Sequence, residues 1–126
     1  MSGAPSQSFQ LFREAFLSSA TGEVARTNSH LVRVSGNAVM IRGLVRQASG
    51  TAPILTLQGE GSYDGVVWKV VGSAVTIDPT SNPVIEGISS TPISTDHPYF
   101  RLRASLATSH TNNQLLFDAE IVVSRQ

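Results

Sequence analysis

The chain contains no cysteine. Disulfide frameworks, cysteine-ligated zinc, iron–sulfur clusters and thiol catalysis are therefore outside its chemistry. Lysine is almost missing too, Lys69 being the single example, and charged residues make up only 14% of the 126 residues. Long solvent-exposed helices usually carry many Glu and Lys, so this scarcity favours β structure. Positive charge is not in excess: nine Lys plus Arg balance nine Asp plus Glu. A neutral chain has no general surplus with which to neutralise phosphates, so nucleic acid is not an expected partner, and neither is an anionic membrane surface. Apolar runs are short, well below the length of a membrane span. Residues 1–8 lack the basic start and apolar centre of a secretory signal. The expectation is a soluble product made in the cytoplasm. Weak charge repulsion between copies also permits self-association.

What is present is 40% apolar residues, enough for one modest core, with much Ser and Thr around it. Residues 1–8 read as a flexible arm and residues 9–126 as a single domain. The segment 9–17 is ambiguous. Phe9, Phe12 and Phe16 lie at helical spacing, whereas Phe9 and Leu11 alternate with Gln10. It holds three of the five phenylalanines and must bury them, on its own core or on a neighbouring copy.

Beyond it the strand signals are clearer. Val32 and Val34 are followed by the Gly36–Asn37 break, and residues 38–46 are apolar on both faces, as in a central strand. Ile54, Leu55 and Leu57 lead to Asp64–Gly65, the strongest hairpin signal, with 66–71 as the returning strand. Further strands are expected at 75–77 and 84–88, between proline-bracketed loops at 78–83 and 91–98. In 99–106 and 114–124 strict alternation marks half-buried strands: Phe100, Leu102, Ala104 and Leu106 inward, then Leu115, Phe117, Ala119, Ile121 and Val123 inward. Residues 107–113 read as the hairpin loop between them. About eight strands predict an antiparallel β-sandwich or jelly roll.

Catalytic and metal-binding patterns are not found. His30, His97 and His110 are scattered, none with a second histidine at ligand spacing. Asp96–His97 invites a cation site or part of a triad, but a solvated loop before Pro98 is the plainer reading. No phosphate-cradling glycine loop opens a helix, and the acids are dispersed. The chain reads as a non-enzyme without cofactor or metal. Arg101 and Arg103 share a strand face with Tyr99, and Arg42 with Arg46 forms a similar row. Such rows either line a groove for an acidic partner or solubilise a sheet face, paired with acids such as Asp118 and Glu120. The sole tryptophan, Trp68, is either a core or edge anchor or a platform for sugar rings.

The most specific stretch is Gln58–Gly59–Glu60–Gly61–Ser62–Tyr63–Asp64–Gly65–Val66–Val67–Trp68. Its Ser-x-Asp-Gly-x-x-Trp pattern resembles a turn of discoidin-type domains. It also resembles the sialidase Asp-box, although that motif has one residue between Asp and Gly that is missing here. Ser62 and Asp64 are expected to cap the turn while Gly65 supplies backbone freedom. The order of apolar N-terminal segment, strand near Val39–Ile41, Asp-Gly hairpin, Tyr99–Arg103 and closing strand resembles small β-sandwich structural proteins of tailed bacteriophages. That resemblance implies a decoration-type virion component, a homo-oligomer or a part of a larger shell or tube. Its contact surface would comprise Phe9, Leu11, Phe12 and Phe16, with the outward Leu44, Leu116 and Val122. The alternative is a carbohydrate-binding module that uses Tyr63, Trp68 and Tyr99.

Overall fold

The computed structural model describes residues 7–19, 25–34, 38–50, 53–79, 85–88, 93–106 and 113–124. Among them there is no helix. The elements are β1 (Gln7–Ser19), β2 (Ala25–Asn28), β3 (Val32–Arg33), β4 (Ala38–Ser49), β5 (Leu55–Ser62), β6 (Lys69–Val70), β7 (Val75–Ile77), β8 (Ile85–Ile88), β9 (Ile93–Ser94), β10 (Tyr99–Leu106) and β11 (Asn113–Ser124).

They form two antiparallel sheets. In the first, β1, β11, β4 and β8 lie in that order, with β9 also on β4; in the second, β2, β10, β5 and β6 do, with β3 on β10 and β7 on β5. The short elements are halves of interrupted strands, since β2 and β3 line one neighbour, as do β6 and β7, and β8 and β9. Joined in this way they give eight strands, four to a sheet. The chain passes from sheet to sheet at most connections, which is the jelly-roll order. At the break between β2 and β3, the buried Ser29 keeps the edge attached: its N–H donates to Leu102 O at 2.8 Å and its Oγ accepts from Leu102 N–H at 2.9 Å.

One consequence concerns β10 and β11. They are consecutive in sequence and equally regular, yet they belong to different sheets. Their connection is a crossover between layers and not the expected hairpin. Their inward residues face each other across the core, where Phe100, Leu102, Leu106, Leu115, Phe117 and Ile121 are all essentially inaccessible. Ile41, Leu55, Leu57 and Ile77 complete the same cluster, and the Phe12 ring packs on Phe117 with centroids 5.2 Å apart.

The segment 9–17 is strand. It carries two register shifts against β11, one between Gln10 and Phe12 and one between Phe12 and Ala15, each placing an extra residue on β1. The positions paired with the inward Ile121, Ala119, Phe117 and Leu115 are therefore Phe9, Phe12, Ala15 and Leu17. The bulges stretch a period of two to a spacing of three. Glu14 lies in the second bulge with φ of 47°, and its N–H donates to Asp118 Oδ1 at 2.6 Å. Strand β1 also begins earlier than the arm boundary, with Gln7 and Ser8 paired to Val123 and Val122. The remainder of the arm, 1–6, lies outside the described residues, as do the loop residues 80–84 and 107–112.

Candidate functional site

On the second sheet, alternation sends Leu55, Leu57, Phe100, Leu102, Ala104 and Leu106 inward. It sends Thr56, Gln58, Glu60 and Ser62 of β5, and Tyr99, Arg101, Arg103 and Ser105 of β10, to the outside. Register then assembles rows across the sheet. Arg33, Tyr99 and Ser62 stand side by side, and Arg101, Glu60 and Val70 form the next row. Arg103 stands between Gln58 and Asn28, and Ser105 between Thr56 and Arg26. Trp68 lies just before β6, and its ring reaches the Arg101 row.

Glu60 is the centre of this face. It is 5% exposed, on the outward side of its strand, because long side chains cover it. Its Oε1 accepts from Arg101 Nε at 2.8 Å, and its Oε2 lies 3.9 Å from Arg103 Nε. Arg101 in turn places its guanidinium carbon 4.2 Å from the centroid of the Trp68 ring. A cation over an indole face is held by the ring quadrupole. The chain of contacts Glu60–Arg101–Trp68 thus fixes the orientation of the sole tryptophan. Neighbouring Gln58 ties the sheet edge down, its Nε2 donating to the carbonyls of Gly59, Val71 and Gly72 at 3.1, 3.3 and 3.1 Å.

The turn carrying Trp68 into place is built by side chains. Asp64 Oδ1 accepts from the N–H groups of Val66 and Val67 at 2.8 and 3.0 Å and from Ser62 Oγ at 3.0 Å. Ser62 Oγ accepts from Gly65 N–H at 2.8 Å. The backbone donors of Val67 and Val66, followed by the Ser62 hydroxyl, hold the Asp64 carboxyl below its ordinary range. Gly65 has φ of 78°, a left-handed conformation that glycine enters freely. The turn is wider than a two-residue hairpin, since the first pair that closes it is Gly61 with Lys69.

The three aromatic residues of the sequence reading separate here. Tyr99 pairs with Ser62, and the Trp68 ring lies against Arg101, two residues along the same strand face; both aromatics are half-buried. Tyr63 is elsewhere, 64% exposed, with its ring 4.4 Å from that of His97 and its hydroxyl donating to Asp96 Oδ2 at 3.0 Å. That hydrogen bond, then burial and the Asp96 charge, raise the Tyr63 phenol above its usual value. His97 lies over Gly61, on the inward side of β5, where an added Cβ would come within 2.9 Å of its ring. The Asp96–His97 pair therefore clamps a loop: His97 Nδ1 is 3.5 Å from Asp96 and 3.2 Å from Thr95 Oγ1. Among the described residues no group of three His, Asp or Glu side chains could hold a metal. His30 is exposed beside β3, and His110 falls outside the described residues.

The contact residues of the assembly reading also separate. Leu11 and Phe12 are 5% and 8% exposed and belong to the chain's own core, and Phe9 packs against it. Phe16 pairs with Leu116 and is 61% exposed on the outer face of the first sheet. Leu44, Leu116 and Val122 are half-buried on that face. A shallow hollow of about 410 Å³ opens there, lined by Phe16, Ala48, Pro79, Leu115 and Leu116 among others. Charges of this outer face are paired locally, Arg46 with Asp118 at 2.6 Å and Arg42 with Glu120 at 3.6 Å. Arg101 and Arg103 do not share these acids, because β10 and β11 lie in different sheets; Glu60 is their partner.

Glu60 and the outward Arg26 and Arg33 were not singled out by sequence. The alternation of Leu55 and Leu57 continues through Gln58 to an outward Glu60, and that was the available signal. The arginines sit on strands of four and two residues, too short to show a period.

No family model and no curated protein matches the chain. Its fold is similar to that of a crystallographic structure of the CBM22-1–GH10 modules of Clostridium thermocellum endo-1,4-beta-D-xylanase 10B, complexed with xylohexaose. The likeness covers 86% of this chain and 20% of that one, at 11% identity and a TM-score of 0.51, so the chain spans about a fifth of that length. A structure of TmCBM61 in complex with beta-1,4-galactotriose aligns over 90% of this chain and 67% of that one, at 10% identity and a TM-score of 0.48. At 11% identity the first of these likenesses is one of fold.

Proposed function

We propose that the chain is a non-catalytic carbohydrate-binding module whose binding surface is the outward face of the second sheet. The observation that carries the reading is the placement of Tyr99 beside Ser62 and of the Trp68 ring against Arg101, two residues along the same strand face. Apolar sugar-ring faces stack on aromatic rings, while hydroxyls need oriented donors and acceptors. This face supplies both, the polar groups being Gln58, Asn28 and Arg103. Arg101 covers one face of the indole, so a sugar meets the ring's opposite face or its edge. The fold likeness to a structure named for a CBM22-1 module and complexed with xylohexaose supports the same reading.

Trp68 is the only tryptophan, so its emission reports on the site directly. Titration with a panel of soluble polysaccharides should shift or quench it. Trp68→Ala should fold and lose affinity by roughly tenfold or more, with a smaller loss for Tyr99→Ala. A folded wild-type protein that binds nothing across the panel would overturn the proposal.

A second reading rests on Phe16. A large apolar side chain 61% exposed beside Leu116, on the rim of a hollow of mixed apolar and polar lining, is suited to contact with a second copy. Light scattering should then detect a dimer or larger assembly that Phe16→Ser shifts toward monomer. A protein monomeric at every accessible concentration excludes this use of the first sheet.

A further inference from the structure

The charge balance of the chain conceals a segregation. Strand register places Arg26, Arg33, Arg101 and Arg103 on the outward face of the second sheet. Among the described residues the acid within this set is Glu60, buried and already bound to Arg101. Asp64 is engaged by its own turn, and Asp78 follows β7 at the far corner, beyond the row of Arg26. The opposite face of the sandwich is balanced: Arg42 and Arg46 are paired with Glu120 and Asp118. Arg26 and Arg33 have no ion-pair partner among the described residues, and both are exposed. All four cations are arginines, whose planar fork binds carboxylates bidentately; Arg33 stands beside Tyr99, Arg101 against Trp68, and Arg26 at the far end of the face.

We infer that this face selects glycans bearing carboxylates, that is, polymers of uronic acid or with uronic-acid side groups. The inference rests on the carbohydrate-binding reading and adds its ligand class. Tyr99 and Trp68 take the ring faces, while Arg26 and Arg33, at opposite ends of the face, meet acid groups along the chain. Arg101 and Arg103 are partly neutralised by Glu60 and serve chiefly to hold the site. A nucleic acid fits less well. Among the described residues, after Glu60 is counted, the face has a surplus of about three charges, few for counterion-driven binding, and the indole is already capped by a guanidinium.

The test uses the intact protein with three probes: polygalacturonate, its fully methyl-esterified form, and a single-stranded oligonucleotide. Affinities are read from Trp68 emission and by calorimetry at low and high salt. The expected result is tighter binding of polygalacturonate than of the ester, with the preference diminished by salt. Arg26→Gln and Arg33→Gln, both surface changes that leave the core untouched, should each weaken polygalacturonate roughly threefold, about tenfold together. Binding of the ester should not change. Equal affinity for the acid and the ester, in wild type and variants alike, overturns the inference while leaving the carbohydrate-binding reading intact. Binding of neither polysaccharide, nor of any neutral glycan, removes both. Tighter binding of the oligonucleotide than of polygalacturonate overturns the assignment to glycans.

Discussion

Replacing Glu60 by glutamine removes one negative charge and almost no volume, so its effect isolates the electrostatics of the Trp68 face. Two unit charges about 4 Å apart attract by about 4 kcal/mol at the effective dielectric of a protein surface. The Arg101 side chain is 20% exposed and Glu60 only 6%, so water screens the pair incompletely. Two effects reduce the net cost. Glutamine still accepts one hydrogen bond from Arg101, and neutralising the carboxylate removes its own desolvation penalty. A loss of about 2 kcal/mol remains, intermediate between an exposed and a fully buried pair. For a chain of this size that lowers the melting temperature by roughly 6–10 °C. Urea unfolding followed by circular dichroism should show the midpoint fall with the slope unchanged. A cycle with Arg101→Gln should return a coupling of at least about 1 kcal/mol, and the emission of Trp68 should change as Arg101 loosens. Stability within about 0.5 kcal/mol of wild type, or strict additivity with Arg101→Gln, would refute the claim that Glu60 organises this face.

Gly59→Ala tests a close approach. A Cβ there would lie 2.6 Å from Phe100 Cζ and 3.3 Å from the Val71 carbonyl, so thermal unfolding should record a loss of about 1–3 kcal/mol. Asp64→Ala should expose the Val66 and Val67 amides, seen as faster hydrogen exchange at those two residues with core amides unaffected. Asp118 gives a pH dependence. Burial alone would raise its carboxyl, but the Arg46 side chain, the Glu14 N–H and the charges of Arg46 and Arg13 outweigh it, and the group lies below its ordinary value of 3.8. A depressed carboxyl stabilises the fold above the ordinary value and loses that contribution as pH falls through the folded one. The stability gap between wild type and Asp118→Asn should therefore be full at neutral pH and close below about pH 4; a gap independent of pH would contradict it.

The parts of the fold legible from sequence are those in which one strand carries its own pattern. Strands β10 and β11 alternate without interruption, and their inward and outward sets are as read. The β-sandwich class and the count of about eight strands follow from such segments and from the turn residues between them. The segment 9–17 was not legible because two bulges shift its parity, and a strand with extra residues at 11 and 13–14 imitates the spacing of a helix. Partner choice was not legible either. Arg101 and Arg103 looked equally able to meet Asp118 or Glu60 until sheet membership decided it, and membership depends on pairings distant in sequence. For the same reason Tyr63 and Trp68, five residues apart, were grouped as one surface. The turn that Asp64 and Ser62 hold together sends them to different sides of β5.

The pairing of Gln7 with Val123 brings the two ends of the described chain together at one edge. In kinetic terms β1 and β11 close the longest loop in the molecule, and the entropy of that closure must be met before their ladder can form. The alternation of successive strands between sheets adds more contacts of wide sequence separation. Such a topology folds slowly, on the scale of milliseconds to seconds. It also makes circular permutation attractive. A short peptide joining the ends would turn the most distant ladder into a local hairpin. If the chain is then opened at the exposed turn after Gly72, folding should accelerate while the order of strands in space is kept.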